Sequence, residues 1–135
     1  MLTTTTINDN DQVTPDSCEQ ELLQLEALIG RVRARQVEIL RDIDRMQVPS
    51  ADGARSLKEW IAGRLDVHPT TAGDLSFLAR ASSGSVANDD GFMSFDRVAA
   101  TTRLQAAGAD DDTLQRAAGV AVHQLGRLTA RQTRM

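Results

Sequence analysis

Residues 56–81, SLKEWIAGRLDVHPTTAGDLSFLARA, read as two short helices joined by a tight turn. The first is expected over Leu57–Leu65 and the second from Pro69 to about Ala81. Ser56 followed three residues on by Glu59 is a capping box that marks the first start. Pro69 sits where a first-turn proline loses no intrahelical bond. Leu57, Trp60, Ile61 and Leu65 share one apolar face; Ala72, Leu75, Leu78 and Ala79 share another. The same spacing fits a helix-turn-helix. Ile61, Leu65, Val67 and Leu75 would cross, Ala62 and Ala72 would be the small residues at closest approach, and Asp66 would take the left-handed turn position. The second helix is then expected to expose Thr70, Thr71, Gly73, Asp74 and Phe77. None of these is among the side chains that make the commonest base-edge contacts, so an ordinary helical hairpin competes with a DNA reader.

Upstream, Leu22, Leu25, Ile29, Val32, Gln36, Ile39, Ile43 and Met46 recur at alternating spacings of three and four. This is an a/d seam with one polar interruption, on a helix expected over residues 17–47, opened by a Ser17/Gln20 capping box and stopped by Pro49. Leu28, Val37 and Leu40 widen the stripe, so one flank is expected to meet a further helix. Two readings stand side by side: a coiled-coil homodimer with Gln36 fixing register, or packing of the seam against the chain's own later helices.

Residues 1–16 are polar, threonine-rich and without period, and are expected to be disordered. Residues 47–55 form a connector, and 82–91, SSGSVANDDG, an exposed loop. Ser94 caps a helix whose inner face is Phe95, Val98, Ala99, Thr102 and Ala106, with Gly108 ending it. Asp110, Asp111 and Asp112 open a last helix with Leu114, Ala118, Ala121, Leu125 and Leu128 inside, and Gly119 and Gly126 allowing close approach. Neighbouring residues of one helical turn point apart, so cap and dipole roles suit the three aspartates better than a metal site. The expected architecture is all-α: a single helical domain over 17–131, with the hairpin at 56–81, two helices over 94–128, and a frayed tail at 132–135.

Composition agrees. The 135 residues are 41% hydrophobic but only 3% aromatic, so aliphatic side chains and alanines must build the core. Net charge is −4, which is not the balance of a protein held to nucleic acid by bulk charge. The charge is uneven: residues 1–30 carry six acids and no base, whereas from Arg116 onward there are four arginines and no acid. Cys18 is the only cysteine, and His68 and His123 stand far apart, so no zinc-site spacing exists. His68, before Pro69, is expected to cap the second hairpin helix or to touch a phosphate. Phosphate-binding glycine loops and nucleophile elbows are absent. No signal peptide or bilayer-spanning run is recognisable, and the expectation is a cytoplasmic protein without enzyme activity, cofactor, metal or small-molecule substrate.

Four stretches together resemble a known family: LEALIGRVRARQVEILRDID at 25–44, DGARSLKEWIAGRLDVHPTTAGDLSFLARA at 52–81, MSFDRVAATTRLQAAGADDDTLQRAAG at 93–119 and LGRLTAR at 125–131. They are similar to the amino-terminal region of actinobacterial HNH-endonuclease-type proteins, the domain of unknown function 222 in the 13E12 repeat family. Gly53, Ala54, Arg55, Ser56, Trp60, Pro69, Ala72, Ala81, Ser94 and Arg97 fit the family pattern. The resemblance covers roughly residues 20–131 and departs at SSGSVANDDG, where members carry a longer helix. It implies an accessory module associated with nucleic acid. No residue matches the HNH nuclease motif, so no catalytic residue carries over, and a shortened copy is expected. On this reading the candidate DNA contacts are Arg55, Arg64, Thr70, Thr71 and Arg80. On the alternative reading, the seam Leu22–Met46 makes the chain an oligomerisation or protein-interaction module.

Overall fold

The computed structural model describes residues 13–81 and 93–135, and the element order is all-helical, with no strand among the described residues. The loop expected at 82–91 lies outside them, as do residues 1–12.

Helix α1 runs Pro15–Arg45. It begins two residues earlier than the Ser17/Gln20 signal implies. Thr14 is the cap: its hydroxyl accepts from the Ser17 N–H (3.1 Å), and the Ser17 hydroxyl accepts from the Thr14 N–H (3.0 Å). Ser17 is therefore the reciprocal member of the box, and the stretch expected to be disordered to residue 16 contains a helix start. The stop is not Pro49 itself. Gln47 turns left-handed (φ 59°), and Pro49 lies buried in a one-turn helix, α2 (Val48–Ala51), inside the expected connector.

The hairpin follows the sequence closely. Helix α3 spans Leu57–Leu65 and α4 spans Pro69–Arg80, with Asp66 left-handed between them (φ 55°). Ser56 Oγ accepts from the Glu59 N–H, but the return arm of the expected box goes elsewhere. Glu59 accepts from the backbone N–H and the guanidinium of Arg55 instead. Leu57, Ile61, Ala72, Leu75, Leu78 and Ala79 are buried together, joined by Val37 and Leu40 of α1 and by Phe95 and Ala99 from the start of a later helix. Each fully buried leucine or isoleucine contributes about 1.5–3 kcal/mol of transfer free energy. Leu65, expected at the crossing, stays 39% exposed. Arg41 fixes α1 against the hairpin: its guanidinium donates to the carbonyls of Leu78 (3.2 Å) and Ala79 (3.3 Å) in the last turn of α4.

Helix α5 (Phe95–Ala106) is capped by Ser94 and ends at Gly108 (φ 101°), as expected. It serves two cores. Phe95 and Ala99 face the hairpin, while Leu104 enters a second cluster with Ala117 and Leu125. Ala106, expected on the inner face, is exposed, and Leu104 is the buried residue. Thr102 is buried, and its hydroxyl donates back to the Val98 carbonyl (2.7 Å).

The expected last helix is two. Helix α6 (Asp111–Ala117) is capped by Asp110; a 3₁₀ turn at Val122–Gln124 leads into α7 (Leu125–Thr133). The break has a cause outside the segment. The Arg97 guanidinium donates to the carbonyls of Ala117 (3.4 Å) and Val120 (2.7 Å), satisfying acceptors that a continuous helix would have used internally. Ala118 and Ala121 are accordingly exposed rather than internal. A Cβ at Gly126 would meet open space, so that glycine serves no close approach. The tail expected to fray continues α7 to Thr133, with Gln132 donating to the Gly108 carbonyl (3.3 Å).

Candidate functional site

The residues singled out for nucleic acid lie around the hairpin, and its arginines are already engaged. Arg55 pairs with Glu59 (3.1 Å), and the two bonds that Glu59 receives from Arg55 hold its carboxyl below the ordinary carboxylate range. Arg64 pairs with Asp52 (2.9 Å) and lies over the Trp60 ring at 5.3 Å, while Trp60 Nε1 donates to the same Asp52 oxygen (2.9 Å). Arg80 makes two hydrogen bonds to the Asp44 carboxylate on α1 (3.1 and 3.2 Å), which raise its already high pKa further. Arg55, Arg64 and Arg80 thus serve three separate local contacts, each neutralised by a carboxylate.

Thr70 is exposed and lies beside His68, whose Nδ1 accepts from the Thr70 N–H (3.1 Å), so of the two roles expected for His68 the capping one is visible. Thr71 is half-buried. The rest of the face expected to be open on α4 is not. The Lys58 side chain covers Gly73, and Arg103 of α5 pairs with Asp74 and stacks over Phe77 at 4.9 Å. A shallow cleft of about 290 Å³ beside α3 is lined by Asp52, Glu59, Trp60 and Arg64 together with Gly53, Ala54 and Gly63. Asp52 pairs with Arg64 within the cleft, and Glu59 pairs with Arg55 outside its lining, so each carboxylate already has a cation.

The seam is the opposite case. Leu22, Leu25, Ile29, Val32, Ile39 and Met46 are each between 43% and 66% exposed, and only Ile43 packs against the core. Among the described residues the chain's other helices do not cover it, against the reading in which it packs internally. They cover the adjacent stripe: Gly30, Val37 and Leu40 are buried, with Arg33, Arg41 and Asp44 half-buried beside them. Gly30, Arg33, Val37, Leu40 and Asp44 repeat the seam's spacing one residue later, about 100° further round the helix. Gln36 is occupied at the seam's centre, where its Oε1 accepts from Arg33 (2.9 Å), and Arg33 also lies 5.7 Å over the Phe95 ring.

One further surface appears only in the folded chain. Arg127, Arg131 and Arg134 stand on one face of α7, opposite buried Leu125 and half-buried Leu128, and no carboxylate of the described residues pairs with them. The run of arginines without acids was visible; their common face required the helix to start at Leu125.

Among the described residues no group of histidine, cysteine, aspartate or glutamate is placed to hold a metal ion, and no helix is long and apolar enough to cross a membrane. No family model, curated protein or solved structure matches the chain.

Proposed function

We propose that this chain is a non-catalytic helical module whose task is to associate through α1, most directly with a second copy of itself. The observation that carries this reading is the uncovered a/d seam: six of its large apolar side chains, Leu22, Leu25, Ile29, Val32, Ile39 and Met46, stand exposed. Isolated exposed apolar residues are ordinary, but a contiguous apolar stripe at heptad spacing marks an interface. Size-exclusion chromatography with light scattering tests it. The native chain is expected at twice its chain mass. Ile29→Asp with Ile39→Asp is expected at the chain mass with an unchanged circular dichroism spectrum, because both positions are exposed in the chain alone. A native chain that runs as a monomer over the micromolar range overturns the reading.

A second reading concerns nucleic acid. The resemblance to the region that precedes HNH nucleases favours it, and the unpaired arginines of α7 give it a surface that the hairpin lacks. Fluorescence anisotropy with duplex DNA at two salt concentrations separates the two sites. If α7 carries binding, Arg127→Ala, Arg131→Ala and Arg134→Ala together flatten the salt dependence, because the log–log slope shrinks by about one unit for each phosphate no longer neutralised. Arg55→Ala, Arg64→Ala and Arg80→Ala would leave that slope in place.

A further inference from the structure

We infer that two copies associate through α1 in antiparallel orientation, centred near Ala27, with Leu22 of one copy opposite Val32 of the other and Leu25 opposite Ile29. The inference rests on the self-association proposed above and adds its direction and register.

Charge supplies the first reason. Residues 15–30 of α1 carry four carboxylates (Asp16, Glu19, Glu21, Glu26) and no base, whereas 31–45 carry five arginines against three carboxylates. A parallel pair lays the acidic halves together and places Glu21 beside Glu26 of the second copy, twice by symmetry. An antiparallel pair lays acidic half on basic half. Its register then follows from the heptad. With Leu22 and Ile29 at a and Leu25 and Val32 at d, an antiparallel pair stacks a on d. Centring at Ala27 sets Glu21 opposite Arg35 and Glu19 opposite Arg33 along the two flanks, each pair occurring twice. Arg33 is already held by Gln36 and Phe95, so it meets the partner pre-positioned. Only Glu26 faces its own copy, at the two-fold axis, with exposed Leu28 facing itself on the opposite flank.

Sterics select the same register. The hairpin and α5 cover α1 through the stripe Gly30, Val37 and Leu40, and no residue from 15 to 29 is buried. With the centre at residue 27, the bare half of each copy lies beside the covered half of the other, and the two bodies sit at opposite ends. Moving the pairing one heptad towards the carboxyl terminus sets Glu21 against Asp42 and Glu19 against Leu40, which is already 4% exposed beneath its own chain. One heptad further sets Arg33 and Arg35 each against itself and brings the two bodies over the same stretch.

Cys18 reports the geometry without disturbing the seam, since it is exposed and is the only cysteine. In a parallel pair it faces its own copy. In the antiparallel pair it lies opposite Gln36, and the two Cys18 residues are about 27 Å apart along the axis, beyond a short bismaleimide. The experiment treats the native chain and Gln36→Cys with such a reagent, after light scattering on each. Expected is a dimer mass for both, with covalent dimer only in Gln36→Cys and peptide mapping to Cys18 joined to residue 36. A native dimer joined Cys18 to Cys18 overturns the antiparallel orientation while leaving self-association standing. A dimer in which neither chain cross-links overturns the register. A monomer overturns the self-association on which all of this rests. Charge reversal gives a second readout: Glu21→Arg alone is expected to weaken the dimer about tenfold, and adding Arg35→Glu to restore it to within about threefold.

Discussion

The two halves of α1 carry the same apolar period and have different surroundings. From Pro15 to Ile29 no residue is buried; from Gly30 to Arg45 the helix contributes Gly30, Val37 and Leu40 to the interior and ties Arg41 and Asp44 to α4. A helix that is a lid over a hairpin along half its length needs only that half for the chain to fold. The other half, equally apolar, adds nothing to the fold of a single chain. On the proposed reading, folding rests on the buried stripe of the second half and association on the exposed seam, and single substitutions should separate them.

Truncation of the apolar side chains should give the widest separation. Leu40→Ala removes a buried side chain and is expected to lower unfolding free energy by about 2–4 kcal/mol. Leu25→Ala, at 47% exposure, is expected to change it by less than about 0.5 kcal/mol while weakening the dimer. Urea titrations in the dilute, monomeric range measure both. Equal losses at the two positions would show that the bare half is part of the folding unit after all.

The next contrast is between carboxylates. Asp74 retains only 14% of its side-chain surface and pairs with Arg103, which also stacks on Phe77. Asp74→Ala leaves that guanidinium half-covered and unpaired, and a loss of about 1–2 kcal/mol is expected. Glu19→Ala on the bare half should leave the denaturation midpoint of the monomer in place.

Why the sequence resolved some of this and not the rest follows from where each determinant sits. The hairpin was legible to the residue because its signals are local: Ser56 caps, Asp66 turns left-handed, Pro69 begins α4. The seam was legible as a pattern, but the face that folds was not. The buried stripe contains Gly30, Arg33 and Asp44, so its apolar content reads as weaker than that of its neighbour. Heptad spacing describes a surface that wants a partner, and nothing in the spacing says whether that partner is in the same chain. The candidate DNA arginines failed to gather for a related reason. Their neutralising carboxylates lie 36 residues away for Arg80 and 12 for Arg64, and such pairings belong to the tertiary structure. The split of the last helix was hidden in the same way, because Arg97 imposes it from 20 residues upstream.

The helix caps of the two regions differ in the same sense. Ser94 begins a helix whose first turn packs Phe95 into the core, so Ser94→Ala is expected to cost about 1 kcal/mol of global stability. Thr14 makes an equivalent hydrogen bond at the far end of the bare half. Thr14→Ala is expected to fray the first turns of α1 without moving the global midpoint, which hydrogen exchange at residues 17–22 detects as faster exchange confined to that end.

The smallest effect is a pH dependence rooted in the covered region. Glu59 at α3 and Asp110 at α6 both have pKa values lowered, Glu59 chiefly by the Arg55 backbone N–H and guanidinium, and Asp110 chiefly by the Thr113 backbone N–H and hydroxyl. A carboxyl whose folded pKa lies below its unfolded value binds its proton more readily when the chain unfolds. Its contribution is therefore present in full above the unfolded value, near 4.5 for Glu59 and 3.8 for Asp110, and is lost as pH falls through the folded value. Both groups lie at the surface, so the change is small, and a paired comparison is needed to see it. Urea midpoints of the native chain and of Glu59→Gln should differ at pH 7 and converge as the pH falls below the lowered folded value, because the native side chain then also carries no charge. The amide oxygen in Glu59→Gln can accept from the Arg55 N–H but its NH2 cannot accept from the guanidinium, so the difference reports the charge together with that second bond. A gap between the two chains that does not narrow at all as the pH falls would assign the role of Glu59 to its contacts at the start of α3 rather than to its charge.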